Sequence, residues 1–295
     1  MKARKLILLF SLFALLAGAQ AVKVHAWSNG GYSNDPLNPK YATHDWIAEH
    51  ALEMLPADEK AFIKGDDALF KAFLLGTELP DSTNKSIGGI GDKTKHHVYF
   101  YADGSVQEDD AAVRAAEEYA EAAANYTAGN WYNVSKTLGI VAHYVADMAV
   151  FGHVMGSTTD WGDETHHDDY ESHVEARTGE GGGEFDAYLS YDGASNVSAY
   201  DTAVQVANDT TFDADGDLTC VWMDTHYDWG DTAFKDRCGE SLNIATNAIA
   251  DVLHKFYKTV VLPEYSPILL LPVLVVTTML IAVLVRKREK KATTV

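Results

Sequence analysis

Basic residues are scarce in this sequence: 23 lysines and arginines stand against 43 aspartates and glutamates, giving a net charge of −20 at pH 7. Nine of the 23 lie in two short terminal segments, 1–26 and 286–295, so the chain between them is more acidic still. Such a surface repels polyanions at long range, which argues against a nucleic-acid-binding face. The chain also has no convincing run of alternating polar and apolar residues, which excludes an extensive sheet and favours an all-α fold.

The N-terminal segment has the three parts of a secretory signal peptide. Lys2, Arg4 and Lys5 precede an apolar run at 6–16, and the small-residue motif VHA ends at Ala26. The apolar run is too short for a membrane-spanning helix, so we predict cleavage after residue 26. Trp27 would then be the first residue of the mature chain.

The C-terminal segment is predicted to hold the protein at the cell surface. Residues 266–285 carry no charge and are long enough to span a bilayer, and the basic tail 286–295 follows directly. This pattern predicts a single-pass membrane protein with the domain 27–263 outside the cell and the tail inside. The segment also resembles a surface-sorting signal, whose removal would still leave the domain outside.

Cysteine is scarce. Cys220 and Cys238 are the two cysteines of the chain, and both fall in the part predicted to be extracellular. An oxidising compartment favours pairing, so we expect one disulfide between them.

Apolar spacing predicts one helical domain without an internal repeat or long linker. Residues 76–106 are rich in Gly, Asp, Ser and Lys and are predicted to form a long functional loop. The predicted helices cover 44–55, 56–75, 109–128, 131–152, 163–176 and 240–261, with a short one near 198–208.

Histidines and carboxylates recur at a spacing that places them on one helix face. His143 and Asp147 are four residues apart, and so are His167 and Glu171. One such pair is more often a simple hydrogen bond, but two pairs with further histidines nearby favour a metal site. Imidazole and carboxylate are ligands that zinc prefers. His153 joins the first pair if that helix continues past residue 152.

Taken in order, these positions resemble the bacterial zinc-dependent phospholipases C and the related fungal zinc nucleases. The resemblance runs from Trp27 to Glu171 and implies a single multi-helix, all-α domain with about three zinc ions. Nine positions carry it, namely Trp27, His44, Asp81, His97, His143, Asp147, His153, His167 and Glu171.

The resemblance also implies how the ligands are divided among the ions, with His96 as the alternative to His97. The first set is Asp81, His97, His143 and Asp147; the second is His153, His167 and Glu171; the third is His44, Asp147 and the main-chain amine and carbonyl of Trp27. Asp81 is in addition the expected catalytic residue, which orients or deprotonates the attacking water.

The implied function is hydrolysis of a phospholipid or other phosphodiester outside the cell. Two alternatives stay open: a zinc-dependent nuclease of the same fold, and a non-catalytic surface module that keeps zinc for folding. Choline-preferring relatives have aromatic residues at two positions where this chain has Ser82 and Thr94. The resemblance therefore gives no cage for a quaternary ammonium group.

Overall fold

The computed structural model describes residue 27, residues 33–214, residues 216–262 and residue 279. The predicted signal peptide, 1–26, and the basic tail, 286–295, lie outside the described residues. The apolar segment 266–285 also lies outside them, apart from Met279. Within the described residues, no helix combines the length and the apolar character needed to cross a bilayer.

The described part of the chain is mainly helical, which confirms the all-α class. Short 3-10 turns occur at Lys93–Lys95, Phe151–His153 and Glu184–Tyr188, and a π-helical turn at Tyr257–Val261 follows the last helix. The α-helices are α1 (Thr43–Met54), α2 (Ala57–Lys64), α3 (Asp67–Glu78), α4 (Asp110–Thr127), α5 (Trp131–Asp147), α6 (His167–Glu175), α7 (Ala199–Phe212), α8 (Cys220–Thr225) and α9 (Thr232–Phe256).

The single helix predicted over 56–75 is in fact two helices. α2 ends at Lys64 with Gly65 as its C-cap, and the Asp66 side chain accepts hydrogen bonds from the amides of Ala68 and Leu69. These bonds satisfy amides that have no partner at the start of a helix, so Asp66 begins α3 as an N-cap. Apolar periodicity continues across the break, which is why spacing alone did not reveal it.

Helix α5 is the centre of the domain and packs against α1, α3, α4, α7 and α9. Its side chains are almost all buried from Val134 onward. The crossing with α3 is very close because Gly76 and Gly139 face each other there. A Cβ atom added at Gly139 would lie 2.0 Å from the Phe73 carbonyl oxygen, and one added at Gly76 would lie 2.1 Å from that of Lys136. Only glycine allows the two backbones to approach this closely.

A small hairpin interrupts the region predicted to be a loop. Strand β1 (Tyr99–Phe100) pairs antiparallel with β2 (Val106–Glu108), with Tyr99 opposite Glu108 and Phe100 opposite Val106. Strands of two and three residues are too short to show an alternating pattern, so sequence periodicity did not predict them.

The predicted disulfide is wrong, because Cys220 and Cys238 are buried free thiols. Cys220 begins α8, whereas the Cys238 thiol on α9 lies in hydrogen-bond contact with the hydroxyl of Tyr170 on α6. Burial raises the pKa of both thiols to about 12. An even number of cysteines indicated a pair, but the count says nothing about the direction in which each side chain points.

Candidate metal centre

The carboxylate of Asp147 lies at the centre of a buried group of histidines. Asp147 is the last residue of α5, and its side chain has no exposed surface. Its oxygens lie 3.2 Å from His44 Nε2, 3.0 Å from His96 Nδ1 and 3.1 Å from His143 Nε2. Three segments far apart in sequence therefore place an imidazole nitrogen against one carboxylate.

Each of these side chains is positioned by a different element. His44 lies in the first turn of α1, and its ring stacks on that of His143 with centroids 4.1 Å apart. His143 lies one turn before Asp147, as its spacing predicted. Asp81 follows α3, and its Oδ1 lies 3.6 Å from His96 Nδ1. Within this first group, two sets of nearby donor atoms share His143: one includes His44 and Asp147, and the other includes Asp81 and His96.

A second group, formed by His153, His167 and Glu171, adjoins the first. His167 Nε2 lies 2.9 Å from Glu171 Oε1, so the pair predicted from helical spacing is brought together at the start of α6. His153 Nε2 lies 3.7 Å from Glu171 Oε1 and 3.9 Å from Asp147 Oδ1. Asp147 therefore lies between the two groups.

His153 reaches the centre by a route that the sequence did not predict. The α-helix ends at Asp147 instead of continuing to residue 152, and His153 ends a separate 3-10 turn. Gly152 makes this path possible, because a Cβ atom there would lie 2.5 Å from the His167 ring. The close approach of backbone and imidazole sets the position of both histidines.

His97 does not join the group, and His96 takes the place predicted for it. His97 Nε2 lies 2.9 Å from Glu108 Oε2, and its ring stacks on Tyr99 with centroids 4.3 Å apart. His96 directly follows the 3-10 turn Lys93–Lys95 and is buried, whereas the next residue, His97, is half-buried and faces Glu108 of β2. The sequence motif did not determine which of the two histidines faces the centre.

Trp27 is fully buried beside the centre. Its indole Nε1 donates a 2.9 Å hydrogen bond to the carbonyl of Ala146, the residue before Asp147. The residues on both sides of Trp27 lie outside the described part of the chain. Coordination by its amine and carbonyl therefore stays a prediction.

The buried polar atoms of the group fit a set of metal ligands. Six of them make no hydrogen bond, although several lie within 4 Å of another residue of the group. Leaving buried polar atoms without hydrogen bonds costs about 1–3 kcal/mol each, unless another partner such as an ion satisfies them. The six are both ring nitrogens of His44, both oxygens of Asp147, Nε2 of His153 and Oε2 of Glu171.

The electrostatics favour a bound cation. Burial, together with the charges of Asp147 and Asp81, raises the pKa of Glu171 to about 8 despite the opposing effect of His167. Burial and the neighbouring His143 lower the pKa of His44 to about 4, so its imidazole is neutral at pH 7. Although burial opposes it, the neighbouring carboxylates raise the pKa of His96 and of His167 to about 10, so these rings face negative charge that a cation could neutralise in place of a proton. Imidazoles and carboxylates crowded in this way provide the nitrogen and oxygen donors that zinc binds.

A cavity of about 310 Å³ reaches the centre from one side. His96 and His153 form part of its wall, so both ligand groups border open space. The other walls come from the turn before β1, from Tyr99 and from the loop that follows His153. They include Lys93, Thr94, Ser157, Thr158, Asp163 and Glu164.

Sequence reasoning missed the residues that hold the outer nitrogens of the histidines. His143 Nδ1 donates to the Thr77 carbonyl at 2.6 Å, and His96 Nε2 donates to Asp92 Oδ1 at 3.4 Å. His167 Nδ1 lies 3.3 Å from Glu164 Oε1. Glu164, three residues before His167, and Asp92, four residues before His96, have spacings that could have indicated their roles.

Comparison with known proteins places this centre in a family. The family model for zinc-dependent phospholipase C matches residues 43–215, whereas no curated protein matches the sequence. Among solved structures, the alpha toxin from Clostridium absonum is similar, with a TM-score of 0.50 and 16% identity, over 77% of this chain. The match covers 64% of the toxin chain, less than two thirds of its length, and at this identity it shows a shared fold alone.

A second solved structure, the alpha-toxin of an avian Clostridium perfringens strain, matches 80% of this chain and 67% of its own at 15% identity, with a TM-score of 0.44. The family match is the stronger result, since it covers more than half of the chain and includes every histidine and carboxylate of the two ligand groups. The chain therefore belongs to the zinc-dependent phospholipase C family.

Proposed function

We propose that this protein is a zinc-dependent phosphodiesterase that hydrolyses phospholipids between the glycerol oxygen and phosphorus. The observation that carries the proposal is the joined, buried centre whose two ligand groups both border one cavity. A site that only stabilises the fold would have four protein ligands around each ion and no open side. Here His153, His167 and Glu171 supply three donors, which leaves a position toward the cavity.

The ligand sets follow the sequence prediction, with His96 in place of His97. Asp81, His96 and His143 would hold one ion together with Asp147, and His153, His167 and Glu171 a second. His44, Asp147 and the main chain of Trp27 would hold a third. Zinc bound in such sites lowers the pKa of a coordinated water toward neutrality and polarises phosphoryl oxygens.

The residues of the chain contribute to positioning and to proton transfer. The cavity holds the diester with phosphorus beside His96 and His153, so that water attacks in line with the leaving glycerol oxygen. Asp81 orients the attacking water and accepts its proton, since its Oδ1 lies 3.6 Å from Nδ1 of His96, which lines the cavity. The products are a lipid alcohol and a phosphorylated head group.

The cavity walls favour head groups other than choline. Among the described residues that line the cavity, Tyr99 is the one aromatic ring, and it stacks on His97. A quaternary ammonium is recognised by several aromatic faces together. The hydroxyls of Thr94, Ser157 and Thr158 suit a head group that forms hydrogen bonds.

We further propose that the domain acts outside the cell and is held there by residues 266–285. The support is the signal-peptide pattern of 1–26 and the uncharged run followed by a basic tail. Fractionation tests this: the full chain should stay with membranes, and a chain ending at residue 265 should be released. Full-length chain that stays soluble without detergent or cleavage would contradict it.

The activity is tested with the full chain in detergent, loaded with zinc. Phospholipids with ethanolamine, glycerol, serine, inositol and choline head groups are compared with a soluble aryl phosphodiester and with single-stranded DNA. We expect phosphorylated head groups to be released, and we expect Glu171→Gln to abolish this release. Glu53→Gln is the matched control, since Glu53 pairs with Lys60 and belongs to none of the ligand groups. Hydrolysis of DNA alone would indicate the nuclease, and full activity of Glu171→Gln would refute the assignment of the site.

A further inference from the structure

The histidines of the centre do not all present the same ring nitrogen to it. His143 Nδ1 lies 2.6 Å from the Thr77 carbonyl oxygen, which can only accept, so Nδ1 carries the hydrogen. The lone pair of His143 is therefore on Nε2, which faces Asp147 at 3.1 Å. His167 has the same arrangement, with Nδ1 toward Glu164 and Nε2 toward Glu171.

His96 has the opposite arrangement. Its Nδ1 faces inward, 3.0 Å from Asp147 Oδ2 and 3.2 Å from His143 Nε2. Its Nε2 faces outward, 3.4 Å from Asp92 Oδ1. With an ion in the centre, Nδ1 is the nitrogen that faces it and offers its lone pair, so the hydrogen lies on Nε2, where the Asp92 carboxylate accepts it.

Asp92 is itself held from the side away from the centre. The Tyr144 hydroxyl lies 2.9 Å from each Asp92 oxygen, and Arg114 Nε donates to Asp92 Oδ2 at 3.0 Å. Arg114 is held in turn by Glu117 and Glu118, one turn further along α4. The guanidinium has only donors, so it fixes which atoms of residue 92 can face His96.

We propose that Asp92 is a positioning residue that selects the tautomer of His96, so that His96 binds zinc through Nδ1 while His143 and His167 bind through Nε2. This inference rests on the proposed zinc sites. It extends the centre beyond the residues of the family motif to a chain of contacts that runs from α4 through Asp92 to His96. Histidine ligands of metals commonly depend on such partners, whose loss costs about 10–100-fold in metal affinity.

Asparagine has nearly the same shape as aspartate, but we expect Asp92→Asn to weaken zinc binding more than this similarity suggests. In Asp92→Asn, Arg114 would attract the amide oxygen, because Arg114 has no atom that can accept a hydrogen bond from the NH₂ group. The NH₂ group would then face His96 Nε2 and favour the tautomer with hydrogen on Nδ1. That tautomer has no lone pair to offer the ion.

The experiment measures zinc binding by the full chain in competition with a chromogenic chelator. We expect Asp92→Asn to weaken one zinc equivalent about 10–100-fold, with the others unchanged. Asp92→Ala, which removes the contact without reversing the tautomer, should weaken it no more than Asp92→Asn. The matched control is Asp231→Asn, which changes a carboxylate 2.7 Å from His226 Nε2, outside every ligand group, and should leave every zinc affinity unchanged.

A spectroscopic measurement separates positioning from a general structural effect. In ¹⁵N-labelled zinc-loaded protein, long-range proton–nitrogen spectra should show His96 as the histidine bound through Nδ1, among others bound through Nε2. If Asp92→Asn does not fold, Tyr144→Phe removes one hydrogen bond to Asp92 and should weaken the same equivalent.

The possible failures are distinguishable. A wild-type chain that binds no zinc would overturn the proposed function and this inference with it. If the wild-type chain binds zinc tightly, either of two results would overturn this inference alone. One is an Asp92→Asn variant with unchanged zinc affinity, and the other is a wild-type spectrum that shows His96 bound through Nε2.

Discussion

Replacing Gly139 by alanine tests whether the close crossing of α3 and α5 builds the centre. The added Cβ would lie 2.0 Å from the Phe73 carbonyl oxygen, and real Cβ atoms essentially never approach another heavy atom within 3.0 Å. The obstructing atom belongs to the backbone, so the helices must separate by about 1 Å, since such a contact cannot be relieved by a rotamer change.

The expected cost combines two opposing effects. Overpacking of this kind destabilises a protein by about 1–3 kcal/mol, and the better helix propensity of alanine returns roughly 1 kcal/mol. We therefore expect a net loss of about 1–2 kcal/mol in the free energy of unfolding. The same separation pulls the Thr77 carbonyl away from His143 Nδ1, which it meets at 2.6 Å across the crossing. A misplacement of about 1 Å can reduce catalysis roughly 100-fold.

The assay combines urea unfolding, zinc content and phosphodiester hydrolysis. Gly179→Ala is the control, because a Cβ atom there would meet nothing closer than the Gly182 oxygen at 4.0 Å. The double variant with Gly76→Ala should lose less stability than the two single losses added, since one separation relieves both clashes. Gly139→Ala with wild-type stability, zinc and activity would refute the reasoning.

Three further predictions concern the centre and the thiols. His96→Ala should lose one zinc equivalent and most of the activity while His97→Ala keeps both, and the reverse result would restore the prediction from the motif. Elemental analysis of correctly processed protein should give about three zinc ions, and two extra residues before Trp27 should weaken one of them, because an amide nitrogen binds zinc poorly; equal zinc content in both forms would exclude coordination by the amine. Thiol titration without reductant should find Cys220 and Cys238 unreactive in the native protein and both reactive after unfolding; an oxidised pair would contradict the free thiols of the structure.

The sequence predicted the parts of the centre that depend on helical spacing. His143 with Asp147 and His167 with Glu171 are four residues apart on regular helices, so periodicity alone places each pair on one face. His153 was also predicted to join the centre, but for the wrong reason. The helix that was to carry it ends at Asp147, and a turn brings His153 back.

The other features of the centre and fold depend on the orientation of side chains and helices, which residue spacing in one sequence does not give. The choice between His96 and His97 depends on how the chain leaves the 3-10 turn Lys93–Lys95, which residue spacing does not predict. The helix break at Asp66 comes from an N-cap side chain that begins a new helix, whereas the apolar spacing continues across the break and predicted one helix. Asp92 is absent from the prediction because its partners, Tyr144 and Arg114, come together only when α4 packs on α5.

The wide separation of the ligands in sequence has a consequence for unfolding. They come from α1, from the end of α3, from the turn before β1, from α5, from the 3-10 turn Phe151–His153 and from α6, spanning residues 44–171. Ions that bind these segments only when they are folded together stabilise the folded chain by their binding free energy. Removing zinc should therefore expose the first half of the domain to proteases well before α7 and α9, which supply none of the described ligands. Resistance to proteolysis would then report metal loading as directly as activity does.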